Sequence, residues 1–122
     1  MAVKILLVDD SSVMRKMVQR CLRQSGIDVG DVLEAGNGHE ALQALDGSEV
    51  DVILCDWNMP EMDGLTFVKE ARKTIHTPVI MLTTESSPEK ISEAMEAGAN
   101  AYLTKPFTPD KIGTSLSQVL GL

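Results

Sequence analysis

"LCDWNMPEMDG", residues 54–64, decides the fold. It closes an apolar run, "VDVILC" (50–55), with a carboxylate, Asp56, followed by Trp57, Pro60 and the pair Asp63-Gly64. A short apolar run bounded by turn residues reads as a buried strand, and the runs at 5–8 and 79–82, apolar at every position, fit strands covered by helices on both faces. A charge at the end of such a strand can face solvent while its backbone is held rigidly. Pro60 and Gly64 shape the loop that follows, and Asp63 reads as a turn or helix-cap residue.

The same pattern repeats on either side. Apolar runs lie at 3–8 ("VKILLV"), 32–35 ("VLEA"), 78–83 ("PVIMLT") and 101–104 ("AYLT"). Between them, apolar residues recur three and four apart: Val13, Met14, Met17, Val18, Cys21 and Leu22; Ala41, Leu42 and Leu45; Leu65, Val68 and Ala71; Ile91, Ala94 and Met95; Ile112, Leu116, Val119 and Leu120. That spacing predicts five amphipathic helices. Asn37 with Glu40 resembles a capping box, Ser87-Pro88 and Thr108-Pro109 resemble helix starts, and Gly98 a helix stop. Five strands alternating with five helices predict an α/β fold of right-handed (βα)5 units on a parallel sheet.

Composition narrows the function. The chain has 122 residues, which predicts one domain over 1–122 with no linker, internal repeat or output domain. A net charge of -7 argues against nucleic acid or an anionic membrane as partner. Aromatic residues make up 3% of the chain, too few to build stacking platforms for bases or a flavin. Cys21 and Cys55 read as buried thiols, and His39 and His76 have no partner at zinc-ligand spacing. The opening "MAVKILLVDD" has no basic run and reads as a strand rather than a signal peptide, so a cytoplasmic protein is expected.

The chemistry collects at the strand ends, where open parallel sheets bind their ligands. Strand one ends in Asp9-Asp10, strand three in Asp56, strand four in Thr83-Thr84 and strand five in Lys105. Brought together, three carboxylates repel one another unless one takes a proton or a cation settles among them. An all-oxygen set suits a hard ion, Mg2+ before zinc. Lys105 offers a second positive point for a phosphoryl group, Thr83 a hydrogen-bond donor, and Asp56 a nucleophilic oxygen. Taken singly these residues are ordinary: Asp9-Asp10 could cap a helix, Trp57 is expected to face the surface, and Met14, Met17, Met81 and Met95 are expected to fill the core. Arg15, Lys16, Arg20 and Arg23 read as a solvated face of the first helix, with docking of a kinase or phosphatase domain as the other reading.

The set "VDD" (8–10), "DWNMPEMDG" (56–64), "LTT" (82–84) and "AGANAYLTKPF" (97–107) resembles a response-regulator receiver domain, most of all the single-domain chemotaxis type, along the whole chain. The resemblance implies the flavodoxin-like strand order 2-1-3-4-5. It implies phosphorylation of Asp56 by a histidine kinase of the chemotaxis (CheA-like) kind. One Mg2+ is implied on Asp10, Asp56 and the backbone carbonyl of Asn58, with Asp9 acting through water. Thr83 and Lys105 are implied as phosphate-binding and switch residues, Tyr102 as the aromatic that changes rotamer, Asn58 and Glu85 as residues tuning dephosphorylation, and a cis peptide before Pro106. The implied output is a change in the face of helix four, strand five and helix five. That face would serve a monomer that controls a flagellar motor switch protein and is reset by a phosphatase. The alternative is a stand-alone receiver serving as phosphorelay intermediate or phosphate sink. In either case the protein would be a stoichiometric phosphoacceptor that assists its own phosphorylation and dephosphorylation, not an enzyme with a separate substrate. Ser87, Pro88 and Ser115 stand where motor-binding receivers carry lysines, and Thr84 and Ser11 also differ from the usual residues.

Two other classes fit less well. A hydrolase of the haloacid-dehalogenase type also uses a strand-end aspartate, but needs a second acid where this chain has Asn58. A flavin carrier would bind phosphate after strand one, where Asp9-Asp10 would repel it.

Overall fold

The computed structural model describes residues 2–84 and 87–122. Its elements run β1 (Val3–Val8), α1 (Ser12–Gln24), β2 (Val29–Ala35), α2 (Gly38–Gly47), β3 (Val52–Asp56), α3 (Gly64–Ala71), β4 (Val79–Thr83), α4 (Pro88–Ala97), β5 (Ala101–Thr104) and α5 (Pro109–Leu120). All ten expected elements are present. β2 begins earlier than its apolar run because Val29 pairs with Val3 across an irregularity in register. β3 begins two residues later than its apolar run and takes in Asp56 as its last residue, paired with Leu82.

The five strands pair in parallel in the order β2-β1-β3-β4-β5. The order places the carboxyl ends of β1 and β3 side by side, with β4 and β5 next to them. Alternation along each strand divides the core in two. Leu6, Val8, Ile53, Cys55 and Met81 face Phe67, Val68 and Ala94 from α3 and α4, with Ala41 of α2. Ile5, Leu7, Leu54, Ile80 and Leu82 face Val18 and Leu22 of α1 and Ile112 and Leu116 of α5. A strand covered on both faces has no polar side, which is why these runs are continuously apolar.

The helix starts follow local chemistry. Ser11, Asn37, Asp63, Ser87 and Thr108 each accept a hydrogen bond from a backbone amide three residues on. Each bond satisfies an amide that the helix itself cannot, typically worth about 1 kcal/mol. Gly98 ends α4 at φ 120, where a side chain would be strained and would also strike the stem of Arg72.

Two expectations about apolar residues fail. Trp57 is buried, at 5% exposure, rather than surface-facing, because α3 and α4 close over it. Of the four methionines read as core filling only Met81 is fully buried; Met17 is 53% exposed and Met95 is exposed as well. In α1 the apolar stripe is wider than the groove that receives it. Val18 and Leu22 fill the groove, while Val13, 67% exposed, and Met17 flank it. Cys21 is half-buried and Cys55 fully buried, and both are free thiols. Among the described residues no helix is long and apolar enough to cross a membrane.

Candidate functional site at the carboxyl end of the sheet

Asp9 follows β1 and is held from three directions. Its amide donates to the carbonyl of Ala35 (3.0 Å), its carboxylate accepts the amide of Ser11 (2.9 Å), and its own carbonyl accepts Arg15 Nη1. Arg15 in turn pairs with Glu34 of β2 at 3.0 Å. It is therefore a brace for the acidic loop rather than part of a solvated face, which nothing in the local sequence signals. Lys16, Arg20 and Arg23 are exposed as expected. Asp9 is 3% exposed, whereas Asp10 points into solvent.

Asp56 stands at the end of β3 with 8% exposure. Oxygens of Asp9, Asp10 and Asp56 lie within 4.8 Å of one another. Lys105 reaches across from the loop after β5, its Nζ 3.3 Å from Asp56 Oδ1 and 3.4 Å from Asp9 Oδ2. The sequence-predicted convergence of three acids and one ammonium is thus present. Burial pushes the Asp56 carboxyl above its ordinary value; Lys105 opposes this, Asp9 adds to it, and hydrogen bonds from Lys105 and the Trp57 amide hold it down. Two buried acids share one ammonium, so the cluster lacks positive charge. Three convergent carboxylates fit a hard divalent cation, and nitrogen or sulfur donors, which would favour zinc, are missing from the group.

The loop between β3 and α3 must pass very close to the Asp56 backbone. The Gly64 amide donates to the Trp57 carbonyl (2.8 Å), and a Cβ on Gly64 would collide with the Asp56 carbonyl oxygen and the Trp57 Cα. Only glycine lets α3 start there, which is the physical content of the Asp63-Gly64 pair. Asn58 is exposed in this loop, and Glu61 adopts a positive φ of 67.

Thr83 is fully buried at the end of β4, in register with Thr104, and its carbonyl accepts the Lys105 amide at 2.7 Å. The Lys105–Pro106 peptide is cis. Tyr102 is half-buried and packs against the core cluster that holds Trp57 and Met81. It also borders a groove of about 380 Å³ between β5 and α5 that includes Lys111 and Ser115. Thr84 is exposed and, with Met14, Met17, Cys21 and Phe107, borders an apolar hollow of about 230 Å³ that reaches Lys105. Glu85 lies outside the described residues. Burial, with the adjacent Asp56 charge, pushes the Cys55 thiol well up, so it is a packing group rather than a nucleophile.

This geometry can present one oxygen of a rigid carboxylate to an electrophile, with positive charge beside it and room for a cation among the acids. Residues 5–117 match the family described as response regulator receiver domain. The chain is 47% identical over 122 residues to a protein named chemotaxis protein CheY homolog from Campylobacter jejuni, covering 97% of this chain and 92% of that one. It is 44% identical to chemotaxis protein CheY1 of Helicobacter pylori, covering 97% of each. A solved structure of Vibrio cholerae chemotaxis protein CheY4 superposes with a TM-score of 0.86 at 42% identity, covering 98% of this chain and 100% of that one.

Proposed function

This chain belongs to the response regulator receiver domain family, and from that premise we propose that it is a CheY-type chemotaxis switch phosphorylated at Asp56. The observation that carries this reading is the meeting of Asp9, Asp10, Asp56 and Lys105 at one end of the sheet. A carboxylate oxygen of Asp56 attacks the phosphorus of a phosphohistidine on the partner kinase. The P–N bond breaks, the imidazole leaves with the bond's electron pair, and Asp56 carries an acyl phosphate. Lys105, already 3.3 Å from Asp56 Oδ1, holds a phosphoryl oxygen through its ammonium. Asp10, Asp56 and the Asn58 carbonyl, with Asp9 through water, would hold Mg2+, which would supply the positive charge that the three acids lack. Thr83 then turns its hydroxyl to the phosphoryl group and Tyr102 repacks, altering the groove between β5 and α5 that Tyr102 borders. In this reading Asn58 and Glu85 tune the rate at which water later hydrolyses the acyl phosphate.

In this reading the protein is a cytoplasmic, monomeric, stoichiometric phosphoacceptor. Its kinase is CheA-like, its output partner a flagellar motor switch protein, and a phosphatase resets it. A relay or phosphate-sink role is the second reading, supported by Ser87, Pro88 and Ser115 standing in place of lysines on the output face. Acetyl phosphate with Mg2+ tests the chemistry. Intact-mass analysis should show one phosphoryl group per chain, and Asp56→Asn should take up none. Normal uptake by that variant, or many cycles of phosphomonoester turnover per chain, would overturn the proposal. Capture of a motor protein only by beryllofluoride-treated protein separates motor control from relay.

A further inference from the structure

The helix α4 is held unevenly. Ala94 is its one fully buried residue, with Ile91 and Ala97 half-buried and Met95 exposed. Its C-terminal end is fixed by Arg72, whose Nε and Nη2 donate to the Gly98 carbonyl at 3.1 and 2.8 Å and whose Nη2 also reaches Asn100 Oδ1 at 2.9 Å. Asn100 Oδ1 in turn accepts the Val79 amide at 3.0 Å, tying that end to the sheet. Among the described residues no such clamp holds the first turns. There, besides the Ser87 cap, the ammonium of Lys90 lies 5.2 Å from the centroid of the Trp57 ring. Among the described residues Lys90 is in no ion pair.

Trp57 is a well-placed partner for this contact. Its ring is buried, so the indole face that meets Lys90 is largely desolvated on its other sides. Trp57 follows Asp56 directly in the chain, and its carbonyl accepts the Gly64 amide. The path therefore runs from Asp56 to the adjoining Trp57, from the Trp57 ring to Lys90, and from Lys90 into α4.

We propose that Lys90 is the catch of a hinged helix: its ammonium on the Trp57 indole holds the first half of α4 in the resting pose, while Arg72 pins the other end. The inference rests on Asp56 being the phosphoacceptor. Phosphorylation adds charge and bulk to the side chain of the residue directly before Trp57. It thus disturbs the residue on which the catch closes. Lys90 is a positioning residue, and this route to α4 is separate from the one through Thr83 and Tyr102.

The test uses the whole chain as wild type, Lys90→Met, which keeps an unbranched stem without the charge, and Lys90→Arg, which restores a cation. In unphosphorylated protein, hydrogen exchange at the amides of residues 91–95 should quicken about two- to five-fold in Lys90→Met, the span expected for one cation–π contact at a partly exposed site. Exchange at 98–100 should not change, and Lys90→Arg should match wild type. With Mg2+, calorimetric affinity for beryllofluoride should rise by a similar factor in Lys90→Met, because less holds the resting pose. Unchanged exchange at 91–95, failure of arginine to restore it, or equal or weaker beryllofluoride affinity would overturn the catch. If wild type does not bind beryllofluoride, the phosphoacceptor reading falls, and the exchange data alone decide whether Lys90 holds α4. Lys90→Gln replaces the methionine variant should that one aggregate.

Discussion

The two edges of the sheet solve opposite problems. At the amino-terminal edge a single guanidinium, Arg72, is answered entirely by neutral oxygens: the carbonyls of Gly98, Thr77 and Ile75 and the side chain of Asn100. Each donor has an acceptor, and the edge is closed. At the carboxyl-terminal edge, Asp9 and Asp56 are buried against one ammonium, and Asp10 adds a third charge within 4.8 Å. That edge is under-neutralised. The contrast teaches that stability is concentrated at the end where polar groups are matched, and reactivity at the end where they are not. A domain can carry such an imbalance because two apolar cores and the opposite edge supply the stability it costs.

Breaking the closed edge should have the largest effect. Arg72→Met keeps an apolar stem beside Gly98 but takes the guanidinium from three carbonyls and leaves Asn100 Oδ1 only the Val79 amide. A loss of about 3 kcal/mol in urea unfolding is expected, with phosphoryl uptake from acetyl phosphate unchanged in the folded fraction. A variant as stable as wild type would mean that this edge is not the stronger one.

Relieving the open edge should do the reverse. Because burial raises the Asp56 carboxyl in the folded chain, the native state binds its proton more tightly than the unfolded state does. The stability this group contributes is fully present below the ordinary aspartate value and is lost as pH rises through the raised one. Asp56→Asn removes that loss. It should be about 1 kcal/mol more stable than wild type at pH 7, a few degrees in Tm, and the advantage should vanish as pH falls below about 3.9. Melting curves of both proteins across that range check the sign. A variant less stable than wild type at pH 7 would show that Lys105 outweighs the burial of Asp56.

The smallest effect sharpens the comparison without mutation. Mg2+ at twice its dissociation constant should stabilise wild type by about 0.6 kcal/mol, with chelation reversing the gain. Asp56→Asn should lose most of that response and Arg72→Met should retain it, since among the described residues the acids that could hold the ion stand together at the carboxyl-terminal edge.

Much of this site was legible in sequence because its members sit at ends of strongly patterned strands. Asp9, Asp10, Asp56, Thr83 and Lys105 each follow or close an apolar run, and the α/β alternation sends all of those ends to the same side. The strand order came from family resemblance rather than from the pattern. Arg15, Gly64 and Lys90 were harder. Gly64 gave a partial signal through its pairing with Asp63, but the collision that demands glycine involves the Asp56 carbonyl across a loop. Arg15 looked like one of four exposed bases, although it braces the carbonyl of Asp9. Trp57 was misjudged because the polar loop around it suggests exposure, while the cover comes from α3 and α4.

By itself the sequence determined which segments are strands and helices, where four of the five helices start, and which side chains stand at the strand ends, because periodicity and capping act over a few neighbouring residues. Only the tertiary structure decided that Trp57 lies under Lys90, that Arg72 closes the far edge, and that Val13 and Met17 stay outside the groove that takes Val18 and Leu22. Long polar side chains choose partners distant in sequence, and an apolar stripe does not say how much of itself its neighbours will cover. Both are settled when the elements pack.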